Sequence, residues 1–470
     1  MKIQIKELGA IKEGTIDLSK KLNVFCGPNG TGKTYMAYVI YALTKLNNKS
    51  LGVRLDNKIL KLALSNNEFK ININTQALWD FRKKEIEKVK NELWNLFSIA
   101  QDKSESFFKD TTIECDDTFE SFENKMIEMS INNISFKMYG ITFNLIKKRG
   151  ELNVNIMIDE ATKKDDNFAN FMEIAFVSRF YSLLSFYPIT NSIIFPVERN
   201  SIYTFSKELS IKRNDTLDHL QASLSQNKEL NVLDLLFKRT TRYPLPIRDG
   251  LEFAEDLERI QKTNSTFHDF GLEIEKKLLK GKVIITKEGS VEFASDKAPK
   301  TKLSFHQSSS IVKTLASLVI YLKYEAVHND LMIIDEPELN LHPNNQVKLA
   351  RIFAKLINKG LRLIVSTHSD YIVREFNNLI MVSSDKAEVK EIAKTVGGYE
   401  EDEFIYENDI AAYVFDFKRT KKEEAKKSEV KNIDVSEMGF EISTVDETID
   451  EQNRITEELF YTLKYGKADD

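Results

Sequence analysis

The stretch Gly27-Pro28-Asn29-Gly30-Thr31-Gly32-Lys33-Thr34 fits the pattern G-x-x-x-x-G-K-[ST] without a mismatch. It lies between a short apolar run, Leu22 to Cys26, and a segment of helical character, the strand–loop–helix setting the pattern needs. Glycines let backbone N–H groups approach phosphate oxygens, and the following helix points its positive end at them. The candidate phosphate-binding residues are therefore Gly27, Asn29, Gly30, Gly32, Lys33 and Thr34. Lys33 can reach β- and γ-phosphates, and the Thr34 hydroxyl can ligate Mg²⁺. The plain alternative is a glycine turn before a helix. Cys26, one residue earlier, suits a small buried filler better than a redox centre.

A second constellation follows far along the chain. Leu331-Met332-Ile333-Ile334 is an apolar strand pattern that ends in Asp335-Glu336. There Asp335 can hold Mg²⁺, directly or through water, and Glu336 can polarise the water that attacks a γ-phosphate. A strand that merely exits into an acidic turn would look the same without the phosphate loop. Ser308-Ser309-Ser310 precede the apolar segment from Ile311. Serines there are ordinary N-caps, but the same geometry is an anion site. His368 ends the strand that follows the acidic one, in Ser366-Thr367-His368-Ser369-Asp370, where it can touch a γ-phosphate or simply cap and pack.

These residues need a scaffold. Ile3 to Leu18 has the pattern of a hairpin, and Tyr35 to Leu43 of a helix with Met36, Val39, Ile40 and Leu43 on one side. Gln76 to Ala100 predicts an exposed amphipathic helix. Ile134 to Ile158 predicts a hairpin turning at Lys147-Lys148-Arg149-Gly150, and Lys282 to Ala294 a second one at Gly289. Between 201 and 280 the chain is polar and of helical pattern. From Ile311 to Asn377 helices and strands alternate across short turns, which argues for a parallel α/β sheet.

Composition agrees with an ordered globular chain. The 470 residues are 42% hydrophobic, with 17 glycines and 8 prolines, too few for a linker-dominated or low-complexity protein. A net charge of −5 gives no whole-chain bias toward nucleic acid. The basic runs at Lys147–Gly150 and Lys418–Lys427 are solvated surface by default. Two cysteines, Cys26 and Cys115, make no disulfide framework and suit a reducing cytoplasm. The N-terminus lacks a secretory pattern, and the longest uncharged run, Phe180 to Val197, is broken by Pro188 and Pro196, so no membrane span is expected.

In order and type, the phosphate loop, the serine run, Asp335-Glu336-Pro337-Glu338-Leu339-Asn340-Leu341-His342-Pro343 and the His368 segment resemble an ABC/SMC-type ATPase head of the RecF, Rad50 and OLD branch. The resemblance covers roughly 1–45, 190–205 and 300–385. It implies an α/β fold: an ABC-type head with a mixed or parallel sheet core, helical insertions and a small C-terminal accessory region. The core would take 1–75, 185–205 and 300–390, with an insertion of helices and a hairpin at 76–184, a helical subdomain with a hairpin at 206–299, and the accessory region at 391–470.

The resemblance further implies ATP and Mg²⁺ as ligands, with Thr34 and Asp335 on the metal. Glu336 would be the catalytic glutamate, His368 the switch histidine, and Ser308, Ser309 and Ser310 the signature, although the usual paired glycines are missing. Asn340 would lie in the D-loop, and Glu198-Arg199 in a metal- or water-sensing loop, against the alternative of a surface ion pair. In such families one protomer's signature completes its partner's site, so the implied unit is an ATP-sandwiched homodimer, open to higher assembly. No sustained heptads of a long coiled coil separate the motifs. No acidic cluster of a fused nuclease follows them. The layout also looks similar to stand-alone ATPases of bacterial anti-phage modules of the PARIS and Septu kinds. That implies an ATPase that holds or gates a separately encoded nuclease or toxin in response to a phage trigger. The competing expectation is a RecF-like DNA-repair ATPase clamped on duplex DNA; a transporter subunit is disfavoured by the form of the acidic motif.

Overall fold

The computed structural model describes residues 1–45, 68–138, 141–159, 166–204, 243–419 and 424–465. Strands in the first half are β1 (Lys2–Leu8), β2 (Ile11–Asp17), β3 (Leu22–Cys26), β4 (Glu68–Asn72), β5 (Thr112–Cys115), β6 (Ile131–Met138), β7 (Ile141–Lys147), β8 (Asn153–Asp159) and β9 (Ser192–Phe195). The second half adds β10 (Gly281–Ile285), β11 (Val291–Ser295), β12 (Lys302–Ser304), β13 (Leu331–Asp335), β14 (Arg362–Ser366), β15 (Ile410–Arg419) and β16 (Glu424–Ile433). Among the described residues the helices of ten residues or more are α1 (Lys33–Thr44), α2 (Thr75–Asn91), α3 (Phe119–Glu128), α4 (Asp166–Ser185), α5 (Leu245–Glu255), α6 (Ser310–Tyr324), α7 (Pro343–Asn358), α8 (Asp370–Met381) and α9 (Ser443–Tyr465).

A nine-stranded mixed sheet, ordered β5-β1-β2-β16-β15-β3-β14-β13-β9, forms the body. Its parallel part runs β15-β3-β14-β13-β9, and β1 pairs antiparallel with both β2 and β5. The central strands are apolar on both faces because helices cover both. Val24, Met332, Ile334, Leu363, Val365 and Val414 pack toward α6, α7 and α8. Phe25, Leu331, Ile333, Ile364 and Phe415 face α1 on the other side. Helix α1 is buried nearly all round, from Met36 to Thr44, so the one-sided pattern predicted for it understates its burial.

Two smaller sheets lie outside the body. One is four-stranded, β4-β8-β7-β6, with a core that includes Phe143, Ile156, Phe176 and, from α2, Leu78, Trp79 and Phe81. Helix α2 thus buries one face against this insertion. The β7–β8 hairpin turns where the sequence predicts it. Lys147, however, is 2% exposed and donates to the carbonyls of Ile127 and Met129 (3.2 and 2.8 Å), so it is an internal tie and not solvated surface. The other sheet is β10-β11-β12, which contains the predicted hairpin around Gly289. Of the helical stretch expected between 201 and 280, residues 205–242 lie outside the described residues.

The C-terminal quarter departs from expectation. Strands β15 and β16 form a hairpin wedged between β2 and β3 in the middle of the body, where the sequence pattern suggests an accessory region. The cause is non-local pairing: β15 joins β3 through backbone bonds that leave no periodicity in either segment. No described helix is long and apolar enough to cross a membrane.

Candidate functional site

Strands β3, β13 and β14 run parallel, and their register places Asp335 opposite Ser366, and Ser366 opposite Phe25. Their carboxyl ends therefore open at one edge, where parallel α/β sheets bind ligands. The loop Gly27–Gly32 leaves β3 there and turns into α1, whose first residue is Lys33. Backbone shape and close neighbours together require glycine twice. Gly27 has φ +129°, and a Cβ on it would sit 2.1 Å from the Phe415 carbonyl oxygen of β15; Gly32 has φ +99°, with Ile11 Cγ1 2.5 Å away from such an atom. A Cβ on Gly30 would meet nothing within 4 Å, so the loop is open on its outer side.

Lys33 folds over the loop, its Nζ donating to the carbonyls of Gly27 (2.9 Å) and Pro28 (2.8 Å). Burial lowers its pKa, partly offset by the Asp335 carboxylate. The Thr31 hydroxyl closes the turn on Pro28 O at 2.8 Å. Thr34 Oγ1 donates to Asp335 Oδ2 at 2.7 Å, which joins the two motifs. The other carboxylate oxygen of Asp335 accepts from the Ser366 hydroxyl. A hydroxyl and a carboxylate are hard oxygen donors of the kind Mg²⁺ takes, with phosphates and water filling the remaining positions. The donor set fits that ion.

Glu336 follows with φ +48°, a left-handed conformation that costs a non-glycine residue about 1–2 kcal/mol. Its N–H donates to Ser366 O at 2.9 Å. Burial, and next the Asp335 charge, raise the pKa of its carboxyl. His368 Nε2 is 3.8 Å from Glu336 Oε1, and the His368 N–H donates to Glu338 Oε1 at 2.7 Å. Burial and then Lys33 lower the imidazole pKa, with Asp335 opposing them, which favours the neutral ring. Lys33, Thr34, Asp335, Glu336 and His368 thus converge on one edge of the sheet.

The serines stand at the start of α6. Ser308 is buried and donates to Ser304 O at 3.0 Å, whereas Ser309 and Ser310 are exposed. Ser309 occupies the N-cap position, yet its side chain makes no capping bond. Asn340 Nδ2 reaches the Thr314 hydroxyl of α6 at 3.4 Å, which ties the segment after Glu336 to this helix. Cys26 is buried and its thiol pKa is pushed far up by burial, in keeping with a filler.

Arg199 is neither a surface ion pair nor open to a ligand. It is 3% exposed, and among the described residues its guanidinium donates to main-chain carbonyls alone, those of Pro196, Thr314, Asp335 and Glu336. Ser366 and Glu338 lie inside the quoted motifs but carry no role there; that of Ser366 could be found by aligning the ends of two adjacent parallel strands.

A sheet edge of this kind, with a glycine loop, a lysine and an acidic strand end, defines a P-loop nucleoside-triphosphatase. The family model for the AAA ATPase domain (AAA_15) matches residues 1–373, and the chain belongs to that family. It is an ATPase with an α/β fold built on a large mixed sheet. No curated protein matches the chain. Among solved structures it is similar to the SMC head domain from Thermotoga maritima, at 10% identity and TM-score 0.31, over 92% of this chain and 98% of that one. It is also similar to an Smc head domain with an extended coiled coil bound to the C-terminal domain of ScpA, derived from Pyrococcus furiosus, at 13% identity and TM-score 0.33, over 97% and 98% of the two chains. A third similar structure is an SmcHead bound to the C-winged helix domain of ScpA, at 13% identity and TM-score 0.34, over 93% and 97%.

Proposed function

We propose that this ATPase hydrolyses ATP at the edge formed by β3, β13 and β14, and that hydrolysis gates a separately encoded partner. The convergence of Lys33, Thr34, Asp335, Glu336 and His368 carries the chemical part. The backbone of Gly27, Asn29, Gly30 and Gly32 cradles the phosphates, and Lys33 leaves its loop carbonyls to reach the β- and γ-oxygens. Thr34 and Asp335 would hold Mg²⁺, which when bound would supply neutralisation of phosphate charge. Glu336, its proton affinity raised by burial, takes the proton of the attacking water. His368, whose Nε2 is 3.8 Å from Glu336 Oε1, donates to the γ-phosphate.

The exposed start of α6, with Ser309 making no capping bond, supports a role for Ser309 and Ser310 toward the nucleotide of a second protomer in an ATP-sandwiched dimer, whereas Ser308, buried and bonded to Ser304 O, gains no such support. Lys33→Ala then loses nucleotide binding, whereas Glu336→Gln binds ATP, stops turning it over and accumulates the dimer. Equal ATP turnover in wild type and Glu336→Gln refutes the role of Glu336.

The partner is proposed to be the nuclease or toxin of an anti-phage module, the chain acting as sensor and scaffold in the manner of AriA of PARIS or, next, PtuA of Septu. Helix α9 supports a held partner. Its residues 451–465 are exposed, with Leu459, Phe460 and Leu463 at 60%, 56% and 86%. Co-purification with the products of neighbouring genes, before and after removal of α9, tests this. If nothing co-purifies and ATP instead stimulates salt-sensitive binding to duplex DNA, the RecF-like alternative replaces it.

A further inference from the structure

Arg199 closes the turn after β9, near the charges of Asp335, Glu336 and Glu338, yet among the described residues none of its hydrogen bonds goes to a carboxylate. Nη1 donates to Asp335 O at 2.6 Å and Pro196 O at 3.0 Å, Nη2 to Glu336 O at 2.7 Å, and Nε to Thr314 O at 3.3 Å. One planar fork therefore grips two consecutive peptides at the end of β13, its own turn and the second turn of α6. Lysine cannot reproduce this, because its donors diverge from a single nitrogen.

The two gripped peptides are those whose orientation matters. Glu336 holds φ +48°, a conformation that persists only where its surroundings fix it. Its N–H is fixed by Ser366 O (2.9 Å), and its carbonyl by Arg199 Nη2 and the Leu339 N–H (3.2 Å). Without the guanidinium the Asp335 carbonyl loses its 2.6 Å donor and the Glu336 carbonyl keeps only the longer bond. The third anchor is Thr314, whose hydroxyl donates to Ser310 O at 3.0 Å and meets Asn340 Nδ2 at 3.4 Å. Arg199 thereby sets the acidic turn against the serine-bearing end of α6.

We infer that Arg199 is a positioning residue for ATP hydrolysis, which fixes the peptides of Asp335 and Glu336 against α6 so that the Glu336 carboxylate is aimed at the attacking water. The inference rests on the role proposed above for Glu336. It predicts a defect in chemistry and not in nucleotide capture, because Arg199 touches neither the phosphate loop nor Lys33 through any of its bonds.

The experiment uses the full chain with Arg199→Met, Arg199→Lys and Glu336→Gln, measuring kcat and KM for ATP, equilibrium affinity for a fluorescent ATP analogue, and thermal unfolding. Misplacing a reacting group by about 1 Å can cost on the order of 100-fold. Arg199→Met is expected to lose roughly 10- to 100-fold in kcat on that scale, with KM and affinity unchanged, and Arg199→Lys to recover part of the loss. Wild-type kcat in Arg199→Met, or parallel losses of kcat and affinity, overturns the inference. Should Arg199→Met fail to fold, Arg199→Lys decides: reduced kcat at unchanged affinity and melting temperature supports it, and wild-type kcat overturns it. Glu336→Gln separates the two layers. If that variant turns over ATP normally, the reading of the site fails; if it is inactive while the Arg199 variants behave as wild type, only the present inference fails.

Discussion

Gly27 shows how much one residue type can carry. Its loop role is legible in the sequence, since the pattern demands glycine where amides approach phosphate. The structure adds a second, independent requirement: the carbonyl of Phe415, on the neighbouring strand β15, occupies the place of a Cβ. Gly27→Ala is therefore expected to act on both stability and ligand binding. The methyl group must displace a backbone oxygen of a central strand, and a positive φ costs about 1–2 kcal/mol besides. A lowered melting temperature together with lost ATP binding is the expected result. A variant that melts as wild type while losing ATP would show that only the loop itself had been disturbed. Gly30 offers the internal control, because a Cβ there meets nothing within 4 Å and brings backbone strain alone.

At the scale of elements, local signals were legible and distant pairings were not. Strands β3, β13 and β14 show as apolar runs because both of their faces are buried, and the helices between them show because their termini carry turn residues. The five residues of the chemical cluster are identifiable for the same reason: each stands at a strand end or helix start. The sequence marked the position of Arg199 but not its role, since a guanidinium bonded to main-chain carbonyls looks in sequence like one in a sensing loop or a surface ion pair. The placement of β15 and β16 gave no local signal, since it follows from pairing with β3 and β2. That wedge reaches the site. Ser428 of β16 is 0% exposed, donating through its hydroxyl to Thr31 O in the phosphate loop at 2.6 Å and through its N–H to Ala10 O at 2.7 Å. Ser428→Ala removes the first bond and leaves a loop carbonyl without that donor, at a cost of about 0.5–1.5 kcal/mol. The expected outcome is a small fall in melting temperature with weaker ATP affinity, read by nucleotide titration. Unchanged affinity would show that the loop is held without the C-terminal hairpin.

For the molecule as a whole, the pH dependence of stability has an identifiable contributor at the opposite edge of the sheet from the cleft. Asp330 precedes β13 and is fully buried. It accepts from Thr190 Oγ1 (2.9 Å), the Tyr321 hydroxyl (2.9 Å) and the Val327 N–H (3.2 Å), so it joins the turn before β9, helix α6 and the start of β13. Burial raises its pKa to about 7, against the lowering effect of those bonds and of Arg179. The unfolded chain releases this proton near the ordinary aspartate value of 3.8, while the folded chain keeps it to about 7. Between those values the native state binds more protons than the unfolded state, so stability falls as pH rises, by an amount on the order of a few kcal/mol. Above about 7 the contribution is lost and the dependence levels off. Asp330→Asn keeps the shape and removes the titration. Its melting temperature, measured from pH 4.5 to 8, is expected to decline less across that range than the wild type's. The difference between the two curves isolates Asp330 from other carboxyls that burial also raises, Glu325 and Glu338 among them. Parallel curves would mean that Asp330 is ionised in the folded protein throughout, held by its three donors strongly enough to outweigh its burial.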